Sequence, residues 1–134
     1  MSAKRLFGTR GIRGPIATKV TPELVLRLGQ ALANYAGEGK IVIARDARTS
    51  GEMLGHAFIT GVLAGGCDVI DIGVAPSPCV AFTTRDIGAK AGAIITASHN
   101  PPPDNGVAFY NFKGMEFLPS EELAIEEIIF GGRV

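Results

Sequence analysis

The residues with the clearest capacity for chemistry are Thr96-Ala97-Ser98-His99-Asn100-Pro101. They lie between an apolar run, Ala91 to Ile95, and a proline-rich stretch ending in Asp104-Asn105-Gly106. A serine at the end of a buried strand, held by prolines, is a way to keep one hydroxyl at the mouth of a cleft. A serine hydroxyl is a weak nucleophile without a base. His99 is its neighbour in the chain, but adjacent side chains on extended backbone point in opposite directions, so a direct Ser-His pair does not follow. No Gly-x-Ser-x-Gly elbow is present, which weakens a serine-hydrolase reading. A phosphoserine fits better: it carries nearly two negative charges and three oxygens able to take Mg²⁺ or arginine. Taken alone, the segment is equally a self-satisfied turn.

Two other polar segments have chemical potential. Gly8-Thr9-Arg10-Gly11-Ile12-Arg13-Gly14 has the spacing G-x-x-G-x-x-G, which is neither a Walker A loop nor a dinucleotide fingerprint. Its glycines let backbone N–H groups converge on an anion, and Arg10 and Arg13 add fixed positive charge. Thr9, Arg10 and Arg13 are the candidate phosphate-binding residues of this segment; the alternative is a flexible segment with two solvated arginines. Arg45-Asp46-Ala47-Arg48 reads first as a salt-bridged loop scaffold, with Arg45 or Arg48 able to steady a phosphate or a neighbouring loop. His56, in the middle of an expected helix, reads as structural.

Alternating strands and helices must position these segments. Thr21-Pro22-Glu23 has the N-cap, first-turn proline and acidic residue of a helix start, and the apolar spacing Leu24, Val25, Leu28, Ala31, Leu32, Tyr35 carries that helix to Gly37. Ile41 to Ala44 is a buried strand, and Ser50 is the expected cap of a helix with inner residues Met53, Leu54, Ala57, Phe58, Gly61 and Val62. A strand over Cys67–Ile72, a helix from Pro76-Ser77-Pro78 to about Ile87, strands over Gly92–Thr96 and Val107–Phe112, and a helix from Pro119-Ser120 complete the pattern. Continuous apolar strands imply a sheet covered on both faces. The expected class is α/β, a three-layer α/β/α unit with a mixed, mostly parallel sheet of about four strands. The last strand follows its predecessor too closely for a crossover helix and is expected to run antiparallel. Ligands collect at the carboxyl ends of strands in such sheets, so the three polar segments are expected at one edge.

Bulk properties narrow the function. The chain has 134 residues, 46% hydrophobic and 19% charged, enough for one domain with a core. Thirteen basic residues balance thirteen acidic ones, so no global field argues for nucleic acid or an anionic membrane. The apolar runs are too short to span a bilayer and no signal peptide precedes the first motif; a cytoplasmic location is expected. Cys67 and Cys79 lack metal-ligand spacing and are expected to be small buried thiols.

FGTRGIRG, ARDARTSG and TASHNP followed by DNG, in this order and spacing, closely resemble the first domain of the α-D-phosphohexomutases, which include phosphoglucomutases, phosphomannomutases and phosphoglucosamine mutases. The resemblance covers essentially the whole chain. It implies that residues 1–134 equal the first of four domains. It also implies that Ser98 carries phosphate and exchanges it with a hexose monophosphate through a bisphosphate intermediate. Hexose 1,6-bisphosphate would be the activator. Mg²⁺ would be bound by the Ser98 phosphate together with three aspartates. His99 and Asn100 would shape the site, and Arg13 would contact substrate or the transferring phosphoryl group; the catalytic candidates are thus Ser98, His99 and Arg13. The expected partners are the hexose phosphate and the remaining mutase domains.

Departures from the family pattern set further expectations. The aspartate-rich motif D-G-D-x-D-R of the second domain is not in this chain, nor are the sugar-selecting third domain and the phosphate-gripping fourth. This piece by itself is therefore expected to have little mutase activity. Many relatives place a lysine two residues after the Asn-Gly pair; here that position is Ala108. Lys113 lies five residues on, about 17 Å along a strand at roughly 3.3 Å per residue, and is a poor substitute. Lys90 is expected at the opposite sheet edge. Asp104-Asn105-Gly106 leans toward the phosphoglucosamine mutases. A non-catalytic phosphate-binding or assembly module is the rival reading, with Ala108 in its favour. Without partner domains the final helix is expected to expose apolar surface, with self-association as a consequence.

Overall fold

A computed structural model describes residues 6–8, 11–98 and 100–131. The elements run β1 (Ile12–Pro15), α1 (Pro22–Ala36), β2 (Lys40–Arg45), α2 (Gly51–Ala64), β3 (Asp68–Val74), α3 (Ser77–Asp86), β4 (Ala91–Ile95), β5 (Asp104–Asn111) and α4 (Pro119–Phe130). They form one five-stranded sheet in the order β1-β5-β4-β2-β3. β2 pairs in parallel with β3 and β4, whereas β5 is antiparallel to both β4 and β1. Four strands thus share a direction and β5 opposes them, as its short connection to β4 requires.

The sheet has one strand more than the sequence pattern predicts. The extra strand is β1, inside the glycine-arginine segment, where Ile12 to Pro15 pair with Val107 to Asp104. Four residues containing a glycine and a proline carry no strand periodicity of their own. An edge position is where proline is tolerated in a sheet.

Strand residues alternate between two cores. Ile41, Ile43, Ala93, Ile95, Val107 and Phe109 face α1, α2 and α4, whose Leu28, Leu32, Leu54, Phe58, Ile125 and Ile129 are buried against them. Val42, Ala44, Ile94 and Tyr110 face the other way, toward Val80 of α3. Burial on both sides explains the uninterrupted apolar runs. Each fully buried Leu, Ile or Phe contributes about 1.5–3 kcal/mol. Phe109 sits amid Phe7, Phe58 and Phe117, with ring centroids 5.4–6.1 Å away.

Helix signals hold at α1, where the Thr21 side chain accepts from the Leu24 N–H at 3.2 Å and Gly37 follows the last turn. α1 and α2 approach so closely that a methyl at Gly29 would strike the Phe58 carbonyl and one at Gly61 the Leu26 carbonyl. At α2 the expected cap fails: Ser50 has helical dihedrals and makes no capping bond, and its hydroxyl accepts from Asn105 Nδ2 instead. Met53 and Tyr35 are exposed, not inward, although Tyr35 still packs on Phe117. Cys67 is buried as expected, but Cys79 is exposed, because α3 turns only Val80 and Thr84 fully inward. The apolar exposure expected of α4 is confined mainly to Phe130 at its end. Ile125, Ile128 and Ile129 are buried, and Glu126 beside them accepts the Leu6 and Phe7 N–H groups at 2.9 Å each. Other large exposed apolar residues include Val74, Phe82, Ile87, Phe112, Met115 and Leu118. Among the described residues no helix is long and apolar enough to cross a membrane.

Candidate active site

β4 delivers Ser98 to its carboxyl end through Thr96 and the buried Ala97. The Thr96 N–H bonds the Gly106 carbonyl at 2.9 Å, extending the β4–β5 pairing, and the Asn100 N–H returns to the Ala97 carbonyl at 2.9 Å, closing a turn around the serine. Ser98 is exposed and has φ 52°, left-handed backbone that non-glycine residues seldom adopt. Because β5 runs backward, its first residues meet the carboxyl ends of β2 and β4. β1 lies beside them with Arg13 opposite Gly106.

The three polar segments therefore converge. Arg13 Nη2 donates to Ser98 Oγ at 3.1 Å, across 85 residues of chain. Arg13 Nε is buried and has no hydrogen-bond partner among the described residues. Beside them a cleft of about 710 Å³ runs over Thr96, Ala108 and Tyr110 toward Glu116 and Glu122. The β2–α2 turn closes the other side. Asp46 accepts from Thr96 Oγ1 and pairs with Arg48 Nε at 3.5 Å, and Thr96 Oγ1 accepts the Ser98 N–H at 3.1 Å. Arg48 donates to the carbonyls of Ser98, Asn100, Pro101 and Asp104 at 2.8–3.1 Å. The scaffold reading of Asp46 and Arg48 is thus the geometry found.

Other expected site residues are placed differently. The Asn100 side chain turns into its own loop, donating to Asp104 Oδ2 at 3.1 Å. Thr9, Arg10 and His99 lie outside the described residues. His56 is exposed on α2, lining a small cavity with Arg45 and Asp71. Lys90 immediately precedes β4, its N–H on the Lys40 carbonyl, so it sits at the opposite sheet edge. Thr96, Asn105 and Gly106 were not singled out as site residues, yet they tie the segments together. The signal for them was their place in the TASHNP and DNG strings.

Among the described residues no group of three or more His, Cys, Asp or Glu side chains is arranged to hold a metal ion. The nearest acids are already engaged: Asp46 by Thr96 and Arg48, Asp104 by Asn100. These residues do not form a complete magnesium site.

The family profile "Phosphoglucomutase/phosphomannomutase, alpha/beta/alpha domain I" matches residues 4–133. The chain belongs to this family. It is 52% identical over 96% of its length to a Pyrococcus horikoshii protein named "Probable phosphoglucosamine mutase", and 51% identical over the same share to a Thermococcus kodakarensis "Phosphopentomutase". It spans only 28% of either relative. The crystal structure of a phosphoglucomutase/phosphomannomutase family protein from Burkholderia thailandensis superposes with a TM-score of 0.85 at 28% identity, covering 99% of this chain and 31% of that one. Fold class and domain I assignment are thereby settled. The five-stranded mixed sheet with four helices is the domain I fold.

Proposed function

We propose that Ser98 is the phosphate carrier of a phosphohexomutase and that this chain is its carrier domain. The carrying observation is the Arg13–Ser98 contact: a guanidinium bonded to the hydroxyl, with its buried Nε unpartnered beside the same cleft. An arginine presents its donors as a fork suited to phosphate oxygens. In the proposed reaction a hydroxyl oxygen of a hexose monophosphate attacks the phosphorus of phospho-Ser98. The P–Oγ bond breaks, the new P–O bond gives the bisphosphate, and the sugar hydroxyl's proton leaves as Ser98 Oγ regains one. The bisphosphate then reorients and its other phosphate returns to Ser98. Positioning and charge neutralisation carry most of such a transfer. Arg13 supplies both here, with Thr9, Arg10, His99 and Asn100 as further candidates by family likeness.

Magnesium, when bound, would offset charge on the phosphate oxygens; this chain's share of the site would be the Ser98 phosphate alone. The remaining ligands and the sugar contacts would come from further domains, because the relatives are more than three times as long as the matched segment. Relatives of nearly equal identity are named for a hexosamine and for a pentose substrate. That supports placing sugar choice outside this domain. A cytoplasmic setting would suit such metabolism.

The test is intact mass after incubation with glucose 1,6-bisphosphate, Mg²⁺ and the complementary domains supplied in trans. Wild type is expected to gain one phosphate and Ser98→Ala none. In the absence of those domains, a coupled mutase assay is expected to show negligible turnover. Ala108 favours a second reading, a phosphate-binding module without transfer, since it leaves the cleft wall beside Arg13 uncharged. Wild type that binds phosphate but never becomes phosphorylated would establish that alternative.

A further inference from the structure

We infer that Arg48 is a positioning residue that locks Ser98 in its left-handed conformation, so that the hydroxyl faces Arg13 and the cleft; this rests on the carrier reading of Ser98. Ser98 is the one non-glycine residue with positive φ among those described. Such backbone persists where its surroundings over-determine it. Here both backbone groups of Ser98 are held from the β2–α2 turn. Its carbonyl accepts from Arg48 Nη2 at 2.9 Å. Its N–H donates at 3.1 Å to Thr96 Oγ1, whose own hydroxyl is committed to Asp46.

Arg48 is spent entirely on this task. A guanidinium has five N–H donors. Nε faces Asp46, Nη1 serves the Pro101 and Asp104 carbonyls, and Nη2 serves those of Ser98 and Asn100. No donor remains for a ligand, which separates Arg48 from Arg13 with its unpartnered Nε. One planar group thereby ties both ends of the 98–104 loop to the end of β2. A lysine ammonium has three donors and no planar fork, so it cannot reproduce the pattern. The Asp46 carboxylate sets the plane of the guanidinium and also accepts the Arg48 backbone N–H at 3.0 Å.

The experiment compares wild type, Arg48→Lys and Asp46→Asn. The Ser98 HN–Hα coupling and amide exchange are read by NMR, inorganic phosphate binding by titration, and the rate of phosphate uptake at Ser98 by mass with complementary domains present. In folded Arg48→Lys, the Ser98 coupling is expected to move toward a conformational average and its amide to lose protection. Uptake is expected to slow on the order of 10²-fold, the scale of misplacing a reacting group by about 1 Å, with phosphate affinity at Arg13 unchanged. A folded Arg48→Lys with native Ser98 coupling and uptake overturns the inference. If Arg48→Lys does not fold, Asp46→Asn decides on the same readouts, and native values there overturn it. Altered coupling together with a wild type that never accepts phosphate would leave the clamp standing and remove the carrier reading.

Discussion

Gly106→Ala is the most direct probe of how the site is assembled. Gly106 lies where β5 meets both β1 and the end of β4. A methyl group there would strike the Ile12 carbonyl and stand 2.7 Å from the Thr96 carbonyl and 2.9 Å from Arg13 Cγ. The Arg13 side chain has some freedom to swing; the carbonyls do not, being fixed by pairing on either side. Relief requires β1 to move out or the Thr96 turn to move away, and either widens the Arg13–Ser98 contact. Overpacking of this kind costs about 1–3 kcal/mol, and two backbone obstacles place it at about 3. Removing glycine returns roughly 0.5–1 kcal/mol through the unfolded chain, leaving a net loss of about 2–2.5 kcal/mol. For a chain of this size that lowers the melting temperature by roughly 6–12 °C. Gly55→Ala is the control. Gly55 lies inside α2 with nothing within 4 Å of an added methyl, so alanine there is expected to stabilise by about 0.8–1 kcal/mol. Thermal melts followed by circular dichroism measure both, and phosphate titration reads the site. If Gly106→Ala melts with wild type and binds phosphate equally well, the close approach of the three segments is wrong.

Three further outcomes follow from individual residues. Cys67 is buried, and burial, reinforced by Asp68 and Glu38, raises its thiol above the ordinary value. Labelling with a thiol-disulfide reagent near pH 8 is therefore expected to give one fast equivalent, from exposed Cys79, and one slow; two fast equivalents would refute this. The same shift stabilises the fold below the ordinary thiol value, and that contribution is lost as pH rises through the folded one. Glu126→Ala orphans the Leu6 and Phe7 N–H groups and is expected to cost about 2–5 kcal/mol in urea melts, with Glu126→Gln, which keeps a carbonyl oxygen, much milder; equal losses would refute the acceptor role. Phosphate placed on Ser98 would meet the Arg13 guanidinium, so its second pKa, ordinarily about 6, is expected to fall and to return in Arg13→Gln, read by phosphorus NMR at low salt.

Much of this was legible in the residues. Thr21-Pro22 marks α1 because cap and first turn are local chemistry, and the brevity of the β4–β5 link dictates an antiparallel strand without knowledge of the rest. β1 was illegible because its existence depends on a partner 89–95 residues away and not on its own four side chains. Ser50 misleads for the same reason: Asn105, distant in sequence, takes the hydroxyl that a local cap would have used. Glu126 is a buried acid because it satisfies the main-chain N–H groups of Leu6 and Phe7, about 120 residues away, which no local pattern could signal. Cys79 looked buried from its apolar neighbours; only packing decides which side of α3 faces the sheet. At the site, Asp46 and Arg48 were readable as a scaffold. That the scaffold's object was the serine loop could not be read, since it lies 50 residues on.

Under the carrier proposal, the charges around Ser98 leave a balance that the described residues do not meet. A phosphoserine would bring close to two negative charges to an exposed corner. Arg48, the nearer arginine by number of contacts, has no donor to spare, and Asp46 partly offsets its charge. Arg13 is the described cation placed to answer the phosphate, and one guanidinium cannot balance a dianion. An isolated chain holding that charge would leave the phosphate open to water. A further domain bringing cations, and a metal held by its own acids, would both balance the charge and exclude water during transfer. Under the carrier proposal the two arginines divide the work, Arg48 holding the shape of the loop and Arg13 facing the phosphate, and the remaining charge balance would fall to a further domain.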